Sequence, residues 1–439
     1  MDHNSVLIEL VEKTRKSVEQ AEAYYVSSSD EPVRFEANSL KQIDLRESEG
    51  VALRVVKNGR IGFSSTTDLS DLDGLIESAI EVAPMGPEAW FVLPGKQEYP
   101  DVPTHDAKTL RLDIDTLIQT GQKLVDHVRT FNKELLCDVS VDRGVSQTSL
   151  LNTNGGSASY SQTVFSIGIQ ATLINDTDML FIWEGESSSS PISDVDSMVN
   201  SIERKLEYSK NIVPAPVGRL PVVFTPNGVA GALVAPLLSG LNGKGVLQGS
   251  SPLVDKLGEE MLDDRITIWD KPKLPMTPGS RLCDDEGVPS VDLTLVDKGV
   301  VNQFMYDLQT AGQAGTESTG SAHRGLGAMP SPGASVLVFG TGGVSADDII
   351  SDIQSGLIVE GFLGAGQSNV MGGDFNANVL LGFRIEDGQI TGRVKDTLIS
   401  GNVYSALSDV RGISQESEWV GGMNVPLICC DGVSIATKG

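Results

Sequence analysis

The side chains best suited to chemistry in this chain are few and scattered. Its four histidines, His3, His105, His127 and His323, stand too far apart to make a local metal motif. The cysteines, Cys137, Cys283, Cys429 and Cys430, form no CxxC pair and no disulfide framework. Cys429 and Cys430 adjoin on an expected strand, where successive side chains face opposite ways, so they read as small buried hydrophobes and not as two ligands of one ion. There is no Gly-x-Ser-x-Gly elbow, and nothing pairs a particular serine or cysteine with a histidine. His323 lies in Ser321-Ala-His-Arg-Gly325, which reads as a flexible loop. There an imidazole can act as a general base or touch a peptide, and a surface histidine with no chemical role is the plainer alternative.

Two further stretches invite a chemical reading. Asp284-Asp-Glu-Gly287 groups three carboxylates that would suit a hard cation, but the further spaced ligands of a calcium loop are missing. A solvated turn between strands is the simpler expectation. Val336 to Ser345 looks like a strand entering a glycine-rich dinucleotide loop, with Glu360 lying 20 residues beyond Gly340. Its last position is serine instead of glycine, and the region after Glu360 is too glycine-rich for a βαβ unit. A strand, a turn and a helix capped near Ser345 are expected instead.

These groups must be held by a chain of 439 residues, more than one hydrophobic core usually supports. Two domains are expected: residues 1–210, a linker at 211–218 containing two prolines, and residues 219–439. Hydrophobic residues at 40% and 47 glycines suit a folded protein rich in strands and tight turns. With 33 basic and 59 acidic residues the formal charge is −26, which repels nucleic acid and anionic lipid, so neither direct nucleic-acid binding nor a membrane partner is expected. Salt adaptation would also produce such acidity. Asp2, Glu9, Glu12, Lys13 and Arg15 interrupt any apolar run near the start, and no window is apolar enough to span a bilayer. With unpatterned cysteines, this points to the cytoplasm.

The fold class expected is α+β: an N-terminal α/β domain of hairpins and helices, then a β-rich, barrel-like C-terminal domain. Val6, Leu10, Val11, Val18 and Ala21 form one stripe, predicting an amphipathic helix from Ser5 to about Tyr25. Val51–Val56, Asn58-Gly59 and Ile61–Phe63 predict a hairpin. Helices are expected over about 68–83, 112–132 and 195–209, with a proline-rich loop over 84–103 and a serine loop at 187–190. Strands are expected at 139–141, 149–152 and 163–174. Leu220–Phe224 opens the second half, with hairpins turning at Asp297-Lys-Gly299 and Asp387-Gly388.

Several separated blocks carry a wider resemblance. They are Gly50–Arg54 with Lys57–Phe63, Leu151–Gly155, Asp284–Gly287, Gly364–Gln367, Gly373–Phe375, Phe383–Gly388 and Val394–Asn402. In this order and spacing the chain resembles the TldD/PmbA family, often labelled modulators of DNA gyrase. The resemblance implies a relationship to zinc peptidases whose TldD-like branch carries HExxxH on a helix and a late cysteine. In that branch two imidazoles bind the ion and a glutamate activates its water. Histidines five apart do not share a face of a regular α-helix, so the spacing needs a local distortion such as a π-turn. The corresponding stretch here is Gly228 to Gly240, which places the ligands and base near Ala232, Leu233 and Leu237, within about two residues. It contains no histidine or glutamate, and Ile413–Val420 holds no late cysteine.

That degeneracy resembles the PmbA branch, also called TldE. The resemblance then implies a non-catalytic subunit of a heteromeric metallopeptidase, holding no metal itself, with zinc in a TldD-like catalytic partner and unfolded or flexible peptide as substrate. A strand-rich domain with glycine-lined edges can bind extended peptide through its backbone. His323, Arg324, Gln367, Asn369 and Asp374, polar residues in glycine-rich loops, are the candidate peptide contacts. Two alternatives stay open: an acidic interaction protein modulating DNA gyrase, and an autonomous hydrolase with a non-zinc site built on His323 or the Asp284 cluster. Homodimer formation by the isolated chain also stays open.

Overall fold

The hairpin turns are set by residues that tolerate positive φ. Asn58 and Gly59 (φ 52° and 72°) join β3 (Arg46–Lys57) to β4 (Arg60–Thr66), and Lys298 and Gly299 (46° and 79°) join β10 (Leu293–Asp297) to β11 (Val300–Val301). Asp387 and Gly388 (48° and 73°) do the same between β16 (Asp374–Glu386) and β17 (Gln389–Arg393). All three turns fall where the sequence places them. The structure is a computed structural model describing residues 3–176, 178–364 and 368–437.

Among the described residues the first half is built on a seven-stranded antiparallel sheet in the order β4-β3-β1-β5-β6-β7, with β2 (Ser39–Ile43) pairing to the end of β1. Here β1 is Gln20–Glu36, β5 Leu136–Asn152, β6 Ser157–Asn175 and β7 Asp178–Ser188. The opening helix α1 stops at Thr14, shorter than its apolar stripe predicts. Val18 and Ala21 therefore leave the helix, because Ala21–Tyr25 form a central strand paired to both β3 and β5 and buried throughout. Pairing on two sides outweighs helical periodicity. Ser187 and Ser188 extend β7 instead of forming a loop, since they pair with Ser166 and Phe165.

Helices cover this sheet. Asp71 caps α2 (Leu72–Val82) by accepting from the Gly74 amide at 2.9 Å, and Leu72, Leu75, Ile76 and Ala79 face the sheet. Gly62 is required beneath α2, because a Cβ there would lie 1.9 Å from the Ala79 carbonyl. A short α3 (Ala107–Arg111) precedes α4 (Ile114–Val128), capped by Asp113, and α5 (Asp196–Tyr208) follows β7.

The second half closes into a barrel. Strand β8 (Gly218–Phe224) pairs in parallel with β15 (Ser355–Leu363) and antiparallel with β20 (Met423–Thr437), while β15, β16, β18 (Thr397–Asn402) and β20 pair in series. Those pairings form a ring of five strands, which leaves no free edge within it. From β20 the sheet extends through β14 (Leu337–Phe339), β9 (Ile268–Asp270) and the β10–β11 hairpin, and β19 (Val410–Val420) pairs along β20. The remaining elements are α6 (Pro226–Gly228), α7 (Val234–Leu241), α8 (Gly243–Leu247), α9 (Leu308–Ala314), α10 (Ala346–Ser351), α11 (Val403–Leu407) and a short ladder of β12 (Ala322–His323) with β13 (Ser331–Pro332).

One core lies inside the barrel around Phe224, Leu233 and Phe375. A second joins the halves, packing Phe35, Leu124 and Ile167 of the first sheet and its helices with Val223, Ile358, Phe383 and Cys429 of the barrel wall. Cys429 and Cys430 fall in different cores, as their alternation on β20 requires. Among the described residues no helix is long and apolar enough to cross a membrane.

Candidate functional site

Thr225 starts the helix that follows β8, its hydroxyl accepting from the Gly228 amide at 3.2 Å, with Pro226 at the first helical position. The next five residues, Val229–Leu233, wind as a π-helix before α7 resumes regular geometry. This is the distortion that HExxxH spacing demands, in the stretch where the ligands would stand. The side chains there are of another kind: Ala232 is 2% exposed, and Leu233 and Leu237 are fully buried in the barrel core. Gly228 and Gly240 let the helix lie close against its supports, since a Cβ would come within 2.4 Å of the Val359 carbonyl or 1.8 Å of the Tyr404 hydroxyl. Across 228–238 no side chain offers an oxygen, nitrogen or sulfur atom to a cation. The donor set does not fit zinc. Among the described residues no group of three or more His, Cys, Asp or Glu side chains is arranged to hold a metal ion.

Two of the peptide-contact candidates stand beside this helix. Asn369 and Asp374 bracket a tight turn, Val370–Gly372, that packs on α7. Asn369 accepts from the Gly372 amide at 3.2 Å, and Asp374 accepts from the Asn402 side chain at 2.9 Å. Asn369 is exposed and Asp374 half-buried. Gln367, the third candidate of this loop, lies outside the described residues.

His323 and Arg324 belong to a different place, and that place corrects the reading of Asp284–Glu286 as a solvated turn. Asp284 and Glu286 are completely buried and Asp285 nearly so. Arg54 on β3 donates to Glu286 at 2.6 Å and to Glu22 on β1 at 3.0 Å, and all three side chains are withdrawn from solvent. Arg324 pairs with the other oxygen of Glu22 at 2.7 Å, its guanidinium stacked 3.9 Å above the Tyr24 ring. Asp284 accepts from the amides of Glu286 and Val288, both at 2.9 Å, and of Ala322 at 3.1 Å, which pins the turn to β12. Glu286 also receives the Leu308 amide at 2.7 Å. The oxygens a cation would use are already spoken for, and the cluster fastens the first sheet to the loops of the second half.

His323 is half-buried rather than free in a loop. Its Nε2 lies 2.9 Å from Arg281 and 3.3 Å from the Ser335 hydroxyl. Burial, followed by the Arg281 charge, lowers its pKa to about 3, so the imidazole is neutral and a poor base at neutral pH. Burial raises the pKa of Glu286 against the pull of Arg54, and that of Asp284 against Arg281.

A second buried ion cluster escaped the sequence. Lys205 on α5 donates to Glu184 on β7 at 2.5 Å and to Glu360 on β15, which also accepts from Asn227 at 2.9 Å. Glu360, the acid 20 residues past the glycine loop, is thus half of an ion pair. One signal was present: Lys205 continues the buried stripe of Met198, Val199 and Ile202.

The family model described as the PmbA/TldA metallopeptidase C-terminal domain matches residues 217–437, and PmbA/TldA metallopeptidase domain 1 matches 21–83. A metalloprotease of Methanothermobacter thermautotrophicus is 26% identical over 94% of this chain and 90% of its own length. A metalloprotease PmbA homolog of Haemophilus influenzae is 23% identical over 97% of this chain and 94% of its own. The crystal structure of TldE from Thermococcus kodakarensis superposes with a TM-score of 0.88 at 24% identity, covering 98% of this chain and all of that one, a likeness of fold.

Proposed function

This chain belongs to the TldD/PmbA metallopeptidase family, and from that premise we propose that it is the non-catalytic subunit of a heteromeric zinc peptidase acting on unfolded or flexible peptides. A TldD-like partner supplies the zinc and the general base. The observation that carries the reading is the π-distorted helix at 229–233, which has the winding a metal helix needs and apolar side chains where ligands would stand. Asn369 and Asp374, beside that helix, are the favoured peptide contacts, and backbone pairing makes capture tolerant of peptide sequence. Arg324 acts differently in this reading, since its buried guanidinium is committed to Glu22 and Tyr24.

The further parts of the proposal are a domain division at 211–218 and a cytoplasmic location. The absence of a disulfide among four buried cysteines favours the latter. An autonomous hydrolase draws no support from His323, whose basicity is suppressed, or from Asp284, whose oxygens accept three amides. The test is hydrolysis of a flexible peptide by this chain alone, by a TldD-like partner alone and by the two together. Cleavage that needs the partner and is quenched by a zinc chelator agrees with the proposal, and robust cleavage by this chain alone overturns it.

A further inference from the structure

Between α5 and the barrel wall lies a cavity of about 320 Å³, a volume within the range of small-molecule sites. One side is apolar, formed by Tyr208, Ile350, Ile358, Phe383 and Leu427. Tyr208 and Phe383 meet edge to face with ring centres 5.5 Å apart, making a rigid aromatic wall.

The other side carries Lys205 and Glu360. Burial works against the Lys205 charge, and the carboxylates of Glu360 and Glu184 overcome it, so the ammonium stays charged and committed to them. An anion entering the cavity would have to displace two carboxylates. A cation meets the opposite situation. Arg204 and Lys205 face the cavity against Asp347, Glu360, Glu416 and Glu418, four negative charges to two positive, with Glu184 standing behind Lys205. Glu418 reaches in from the solvent-facing rim, and its pKa is raised by desolvation and then by the charges of Glu184 and Glu360, against the weaker pull of Lys205 and Arg204. An apolar wall with a rigid aromatic corner, facing carboxylates in excess of their cations, is the complement of an amine carried on a hydrophobic body.

We propose that this cavity binds a small organic ammonium, its apolar body against Tyr208 and Phe383 and its charged head at Glu418 on the acidic rim. The inference is independent of the subunit reading, since it uses neither a metal nor a partner. A free amine and the amino terminus of a peptide share this chemistry, and the experiment separates them. Phenethylamine is titrated calorimetrically into the full chain at low salt, beside the uncharged isostere phenethyl alcohol. A phenylalanyl dipeptide amide is titrated with and without an N-acetyl group. The expected result is one saturable site for phenethylamine, with the alcohol weaker by about tenfold or more. Glu418→Gln, at the rim where folding is undisturbed, weakens the amine several-fold. Ile390→Trp, which fills the cavity from the edge strand β17, removes binding. Tighter binding of the free dipeptide than of phenethylamine, lost on acetylation, identifies a peptide terminus as the ligand, and the reverse order identifies a free amine. No saturable heat, equal binding of amine and alcohol, or amine binding unchanged by Glu418→Gln would each overturn the proposal.

Discussion

Replacing Arg54 with methionine keeps an apolar stem of similar reach and deletes the guanidinium that lies 2.6 Å from Glu286 and 3.0 Å from Glu22. Both carboxylates are fully buried. Arg324 still faces Glu22, but Glu286 loses its ion pair and, among the described residues, keeps the Leu308 amide. Breaking a buried pair from one side costs about 3–5 kcal/mol because it strands a charge, whereas a surface pair is worth about 0–1 kcal/mol. The Arg54→Met chain is therefore expected to lose about 3–5 kcal/mol at pH 9, where the raised Glu286 carboxyl is ionised beside Arg54, read from urea denaturation followed by tryptophan fluorescence. Adding Glu286→Gln removes the stranded charge while leaving a side-chain oxygen for the Leu308 amide. The double variant should recover at least half of that loss. A loss below about 1 kcal/mol, the size expected of an exposed pair, or no recovery in the double variant, would refute the view that Asp284–Glu286 is a buried joint between the halves.

Three other outcomes follow from the same geometry. His323, at about 3 when folded against 6.5 in the unfolded chain, contributes stability that is full above about pH 6.5 and is lost as pH falls towards 3, about 2 kcal/mol of it by pH 5. His323→Gln should therefore shrink the gap between urea midpoints measured at pH 5 and pH 7.5, and an unchanged gap would assign the acid limb to other groups. Gly62→Ala places a Cβ against the Ala79 carbonyl and should cost about 1–3 kcal/mol by thermal denaturation, and a neutral effect would mean that α2 does not rest on β4 as described. All four thiols are buried, with Cys137 pushed up to about 11 and Cys429 to about 12 by desolvation. They should ignore a thiol reagent until denaturant is added, so rapid labelling of the native chain would contradict this packing.

What could be read from the sequence was local. Asn58-Gly59, Lys298-Gly299 and Asp387-Gly388 carry their turn geometry in two adjacent residues, and Asp71, Asp113 and Ser345 cap their helices within three residues. What could not be read was set by distant partners. Glu286 meets Arg54 across 232 positions, and the ring closes only because β20 returns to β8. Three consecutive acids look solvated until those partners are known, and His323 looks like a loop residue until Arg281 and Ser335 are placed against it. Strand β1 misled for a related reason: its central position between β3 and β5 overrides a helical stripe that runs past Thr14. At the candidate site the missing ligands were evident from residue types alone, while the π-winding around Val229–Leu233 needed coordinates.

The most direct measurement is the zinc content of the isolated chain, purified without chelator and analysed by mass spectrometry of the metal, beside its complex with a TldD-like protein. The account predicts substoichiometric zinc in the isolated chain and one zinc per heteromeric pair in the complex. One tightly held zinc per isolated chain, retained through dialysis and lost together with peptide hydrolysis, would contradict it.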